Sequence, residues 1–126
     1  MVQIISLLRH KFLTRVPLAT LFLLLLTLGC FEFSNLLFWR LNDGISAFKL
    51  DRGRTALDNL LLPANLGDKT AAWIVGCVYA KGLGEVDIDL LAAKYWFKRA
   101  GFGKGEAFSS EQIREIVISR CEHHEN

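Results

Sequence analysis

The chain has 126 residues, 52% hydrophobic and 22% charged, with a formal net charge of +2. Once a membrane segment is set aside, that length leaves room for one small domain and little for a deep active-site cleft. Residues 1–50 carry five basic and two acidic side chains, whereas residues 51–126 carry ten and eleven, so the distal part lacks the electrostatic footprint of a nucleic-acid-binding domain.

Residues 1–15 hold Arg9, Lys11 and Arg15, with Ile4, Ile5, Leu8 and Phe12 recurring at three-to-four-residue spacing. That pattern predicts a basic amphipathic segment lying on the cytoplasmic face of a membrane. Val16 to Phe31 contains no charge, and the apolar character resumes after Glu32 through Phe33, Leu36, Leu37, Phe38 and Trp39. The 24 residues 16–39 are long enough for one transmembrane helix, since a bilayer core takes about 20 residues. Arg15 and Arg40 bracket it, and Phe38 with Trp39 supply an aromatic anchor at one interface. Two processed alternatives share this polarity. One is a cleaved secretory signal, for which Thr27, Leu28 and Gly29 are a poor cleavage site. The other is a lipoprotein signal ending at Gly29-Cys30, which the bulky Leu28 and the apolar run beyond Cys30 disfavour. The reading carried forward is an uncleaved anchor with the amino end inside and the carboxyl domain outside the cytoplasm. Glu32 is the one acidic residue in the apolar stretch. It contacts another membrane subunit, or it marks the end of a shorter span at headgroup level.

Residues 40–50 read as a linker and residues 51–121 as a helical domain, followed by a flexible tail at 122–126. Sliding the chain by 36 residues pairs Asp51 with Asp87, Ala56 with Ala92, Ala64 with Ala100, Gly67 with Gly103 and Ala71 with Ala107. Identities at one offset, all at small or turn-type residues, indicate an internal repeat. Apolar periodicity predicts helices over 51–64 (Leu57, Leu60, Leu61, Ala64), 69–80 (Ala72, Val75, Cys77, Tyr79) and 88–100 (Leu91, Tyr95, Trp96, Ala100). Gly67, Gly82 and Gly84 fall where helices stop and the chain turns. The alanines leave room for knobs from a neighbouring helix, and Tyr79 and Trp96 are the candidate knobs. A last helix starts at Ser109, where Ser109 and Gln112 form a capping box, and runs to about Arg120.

Ala71, Gly76, Tyr79, Gly82, Gly84, Asp89, Ala93, Trp96, Ala100 and Gly103 together resemble one unit of the Sel-one-like repeat, a relative of the tetratricopeptide repeat. The chain departs from that pattern at Glu85, which is inserted before Val86, at Gly101 in place of a second paired alanine, and at Val75 in the leucine position. The resemblance implies an all-α fold, with one transmembrane helix leading into a short helix-turn-helix α-solenoid. It also implies a protein-binding role.

Asp87 and Asp89 are expected to cap the following helix rather than to form an acid–base pair. Cys121, His123 and His124 lack a fourth ligand at useful spacing, and Gly82-Leu83-Gly84 lacks the rest of a nucleotide fingerprint. Cys77 is a small packed hydrophobe, as is Cys30, unless the domain faces an oxidising compartment and Cys77 bridges to Cys121. No nucleophile, base and orienting group come together. The expectation is therefore a non-enzymatic protein without cofactor, metal, nucleic acid or small-molecule substrate. It would be a membrane-anchored adaptor or accessory subunit of a bacterial envelope complex, touching lipid through residues 16–39 and protein through the repeat. The alternatives are a structural subunit held through its transmembrane helix and a regulator of a cell-envelope enzyme.

Overall fold

The computed structural model describes residues 17–103 and 109–121. Among them all regular structure is helical, in five α-helices and one π-helical turn. The amphipathic segment 1–15, Ala107, His123 and His124 lie outside the described residues. The chain divides into two units between Asn35 and Leu36.

Helix α1 (Leu18–Lys49) begins directly after Pro17 and has 32 residues, about 48 Å at 1.5 Å per residue. It is long and apolar enough to cross a membrane. In the first unit its large side chains are exposed, Leu24, Phe31 and Phe33 among them. The hydroxyls of Thr20, Thr27 and Ser34 donate to the carbonyls of Pro17, Leu24 and Phe31 at 2.8, 2.9 and 3.0 Å. This satisfies polar groups that an apolar solvent could not. Glu32 is exposed, and Cys30 is a free, exposed thiol rather than a packed one.

In the second unit, the expected linker over 40–50 is instead helical as far as Lys49. Leu41, Gly44, Ile45, Ala47 and Phe48 form a stripe at helical spacing, of which Gly44, Ala47 and Phe48 are buried. A stripe of that kind is a core-facing helix surface, so these turns belong to the domain. The α1 helix stops at Asp51, whose φ of 54° is one of the few non-glycine uses of the left-handed region. The Arg52 N–H then closes the turn on the Ala47 carbonyl at 2.9 Å.

Helices α2 (Gly53–Asn65), α3 (Lys69–Lys81) and α4 (Leu90–Arg99) match the expected 51–64, 69–80 and 88–100 closely. Asp68 caps α3 through the Ala71 N–H at 2.7 Å. Asp89 caps α4 through Leu91 and Ala92 at 3.0 and 2.9 Å, whereas Asp87 caps nothing. Gly82, with φ 67°, ends α3 in the left-handed conformation. The backbones of the α1–α2 turn and the α3–α4 loop touch where Gly53 meets the Leu83 carbonyl, a contact that any Cβ at position 53 would obstruct.

Two glycines set how the helices pack. A Cβ on Gly44 would overlap the Leu60 side chain, and one on Gly76 would come within 2.7 Å of the Phe97 ring. Each glycine in one helix thus seats a bulky side chain from the next, and Phe97 and Leu60 are the largest fully buried side chains. Phe97, rather than Tyr79 or Trp96, is therefore the principal knob of the α3–α4 pair. Leu91 and Tyr95, expected on the core face of α4, are 81% and 51% exposed. The core phase is set instead by Ala93, Trp96, Phe97 and Ala100, a spacing of i, i+3, i+4 and i+7.

Helix α5 (Ser110–Ile116) opens with the expected capping box. The Gln112 N–H donates to Ser109 Oγ at 3.2 Å, and the Ser109 N–H donates to Gln112 Oε1 at 2.8 Å. A π-helical turn (Val117–Cys121) follows. Of the two readings of Cys77 the bridge is the one realised, to Cys121, with Cα atoms 5.8 Å apart and 44 residues of separation.

Candidate functional site

The residues that carry the repeat pattern lie in the interior or at turns. Ala71, Ala93, Ala100 and Trp96 are buried, and Gly76 lies under Phe97. Tyr79 is half-buried, and its carbonyl accepts the Asp89 N–H at 2.9 Å, tying the end of α3 to the start of α4. Gly82, Gly84 and Gly103 all have positive φ, of 67°, 59° and 71°. These positions build the α3–α4 pair and leave its outward surface to other residues.

That surface is the face of α4 opposite the core. Leu91 and Tyr95 are one helical turn apart and Arg99 is the next turn on, with Ile88, 65% exposed, just ahead of the helix. Arg99 holds this face in place. Its guanidinium donates to Tyr95 Oη at 3.2 Å and to the Asn65 carbonyl at 2.9 Å, and it lies 5.7 Å from both the Tyr95 and Trp96 ring centroids. Tyr95 in turn meets Trp96 edge-on, with centroids 5.1 Å apart. The result is an exposed apolar pair, Leu91 and Tyr95, on α4 with a fixed cation at one end, and the exposed Ile88 just ahead of the helix. A large apolar side chain that is both exposed and positioned is the kind of group that dominates protein interfaces.

Sequence reasoning placed Leu91 and Tyr95 on α4 but on the wrong face, and passed over Arg99, Phe97 and Trp73. The available signal was the quartet Ala93, Trp96, Phe97 and Ala100 at i, i+3, i+4 and i+7, whose phase places Leu91 and Tyr95 on the opposite side of the helix. Trp73 lies between Phe97 and Phe102, with centroids 5.0 and 4.6 Å apart, and ties the turn after α4 to α3.

Among the described residues no cluster of three or more His, Cys, Asp or Glu side chains is placed to hold a metal ion. Cys121, one of the three donors considered from sequence, has its sulfur committed to Cys77. Comparisons with protein-family models, curated proteins and solved structures returned no match to this chain.

Proposed function

We propose that the chain is a membrane-anchored interaction protein that holds a protein partner on the outer face of α4, as an adaptor or accessory subunit of a bacterial envelope assembly. The observation that carries this reading is the exposure of Leu91 and Tyr95, with Ile88 just ahead of them, on a helix whose other face is engaged in the core. The resemblance of residues 71–103 to a Sel-one-like repeat is consistent with such a role. The Cys77–Cys121 bridge supports a domain outside the cytoplasm, where thiols are oxidised, and hence an amino end inside. The test is a photocrosslinker placed at residue 91 in native membranes, compared with the Leu91→Asp/Tyr95→Asp variant. The reading expects one membrane or envelope protein to crosslink from position 91 and to stop co-purifying with the double variant. An unchanged set of co-purifying proteins, with no crosslink, overturns it.

A second reading places the main contact on α1, where Glu32 is exposed between Phe31 and Phe33. An uncompensated carboxylate on an apolar helix favours a polar partner at that depth.

A further inference from the structure

The turn between α2 and α3 has chemistry of its own. Leu66 is 56% exposed and Leu62 is 36% exposed, at the end of α2 and just before the Asp68 cap of α3. Together with Pro63, Leu66 faces Leu37, Phe38 and Leu41 of α1 across an open groove of about 390 Å³. Phe38 and the neighbouring Trp39 are themselves 62% and 66% exposed. This groove is lined mainly by apolar side chains. Its one acid, Asp68, has a carboxylate oxygen engaged in capping α3.

Cations surround the same end of the domain. Arg99 is bonded to the Asn65 carbonyl, and Lys98 precedes it. Lys69 follows Asp68 and shares an adjoining groove of about 480 Å³ with Arg120, whose guanidinium lies 5.5 Å from the Phe102 ring centroid. The opposite end differs, since its turns mix Asp51, Glu85, Asp87 and Asp89 with Lys49, Arg52, Arg54 and Lys81. Among the described residues, one end of the domain thus combines exposed leucines with Lys69, Lys98, Arg99 and Arg120 against the single acid Asp68, whereas the turns of the other end mix acids and bases evenly.

Apolar side chains ringed by cations are complementary to a bilayer interface, where acyl chains lie beneath anionic headgroups. We propose that the α2–α3 turn is a second membrane contact of this chain. In it Leu62 and Leu66 enter the bilayer interface and the groove beside Leu37 and Phe38 receives a phospholipid acyl chain, while Lys69, Arg99 and Arg120 lie among anionic headgroups. The proposal rests on reading α1 as a membrane span, because Phe38 and Trp39 are the aromatic pair that this reading puts at the water boundary.

The test uses the full chain with Cys30→Ser, reconstituted into vesicles of phosphatidylcholine with increasing phosphatidylglycerol. Single reporters are introduced as Leu66→Cys, Leu24→Cys or Leu91→Cys and labelled with an environment-sensitive fluorophore. All three positions are exposed, and the Cys77–Cys121 bridge keeps the remaining thiols from reacting. The expected result is a blue-shifted reporter at 66 quenched by lipids spin-labelled near the headgroup, a reporter at 24 quenched by deep spin labels, and a reporter at 91 quenched by neither. The quenching at 66 should rise with phosphatidylglycerol, and the rise should be lost with Lys69→Glu/Arg120→Glu. A reporter at 66 as unquenched as that at 91, while the one at 24 is quenched, overturns the second contact and leaves the span standing. Absence of quenching at 24 as well overturns both. Quenching at 66 that keeps its phosphatidylglycerol dependence in the charge variant removes the assigned headgroup contacts. Protection of position 66 only in membranes containing other proteins assigns the groove to a protein helix and also overturns the proposal.

Discussion

Removing the Cys77–Cys121 bridge gives the sharpest energetic test of the domain. Its 44-residue separation lets the chain-entropy relation for cross-links be evaluated directly, and it yields about 4 kcal/mol at 25 °C. A small domain has about 5 to 15 kcal/mol in all, so the loss is a large share of its stability. Both sulfurs are buried, Cys77 fully and Cys121 to within 3%, and α5 has seven residues, too few to stand as an isolated helix. We expect Cys77→Ala/Cys121→Ala, in the full chain in detergent micelles, to lower the urea midpoint by about 2 to 3 M, taking m near 1.5 kcal/mol per M. Trp73 and Trp96 fluorescence follows the core, and hydrogen exchange follows residues 109–121. Either single alanine variant should match the double, because the loop opens in all three. The reasoning is refuted if the tryptophan midpoint moves by less than about 0.5 M while only residues 109–121 lose protection. In that case the bridge would tether α5 without constraining the unfolded chain.

Other perturbations test the packing, the caps and the anchor. Gly76→Ala forces the Phe97 ring to move from a site it nearly touches and should cost about 1 to 3 kcal/mol in thermal unfolding, with part of that recovered in Gly76→Ala/Phe97→Leu. Asp68→Ala and Asp89→Ala each remove a cap and should cost about 1 kcal/mol. Asp87→Ala, which removes no cap, should leave the unfolding midpoint where it is. Glu32→Leu should leave the domain's melting unchanged while shedding any membrane subunit bound through α1, as read by native mass spectrometry of the solubilised protein. A soluble piece beginning at Leu36 should melt in one cooperative step. One beginning at Asp51 lacks Gly44, Ala47 and Phe48, leaves Leu60 uncovered and should melt over a broad range by circular dichroism.

The helices between residues 53 and 99 were legible because apolar periodicity coincides there with glycine at the stops and, for α4, with the expected cap at Asp89. Two features were hidden, each for a physical reason. The α1 extension carries Asn42, Asp43, Gly44 and Ser46, which read as linker residues because their helix propensity is poor. Tertiary burial of Phe48 and Ala47 overrides that propensity. On α4, Leu91 and Tyr95 are as bulky and apolar as the core residues, so the helix is apolar on both faces and its phase is ambiguous from periodicity alone. That ambiguity and the candidate site have one origin, since the residues that blurred the phase are the exposed ones on which the proposed contact rests. Arg99 was missed because its partners, the Ala64 and Asn65 carbonyls, are main-chain atoms and leave no trace in side-chain spacing.

The 36-residue offset relates α2 to α4 and projects Gly76 back onto Arg40, which is no glycine. The structure resolves this by placing the equivalent contact four residues later, at Gly44, with Leu60 in the role that Phe97 has against Gly76. The offset between the two glycines is therefore 32, and between the two knobs 37, so the pairs correspond in packing while their spacing has drifted. A search for identities at one fixed offset finds the second helix of each pair and overlooks the first. By packing, α3 lies against both α2 and α4, Gly44 seats Leu60 as Gly76 seats Phe97, and α5 joins the core through Ile113 and the cystine. Within the second unit, residues 40–49 are helical and Gly44, Ala47 and Phe48 belong to the core, so loosening them would uncover Leu60. Proline at Ile45 is the direct probe. It would remove one backbone hydrogen bond and clash with the preceding turn, at a cost of about 3 kcal/mol or more, in a segment where a true linker would tolerate it without loss.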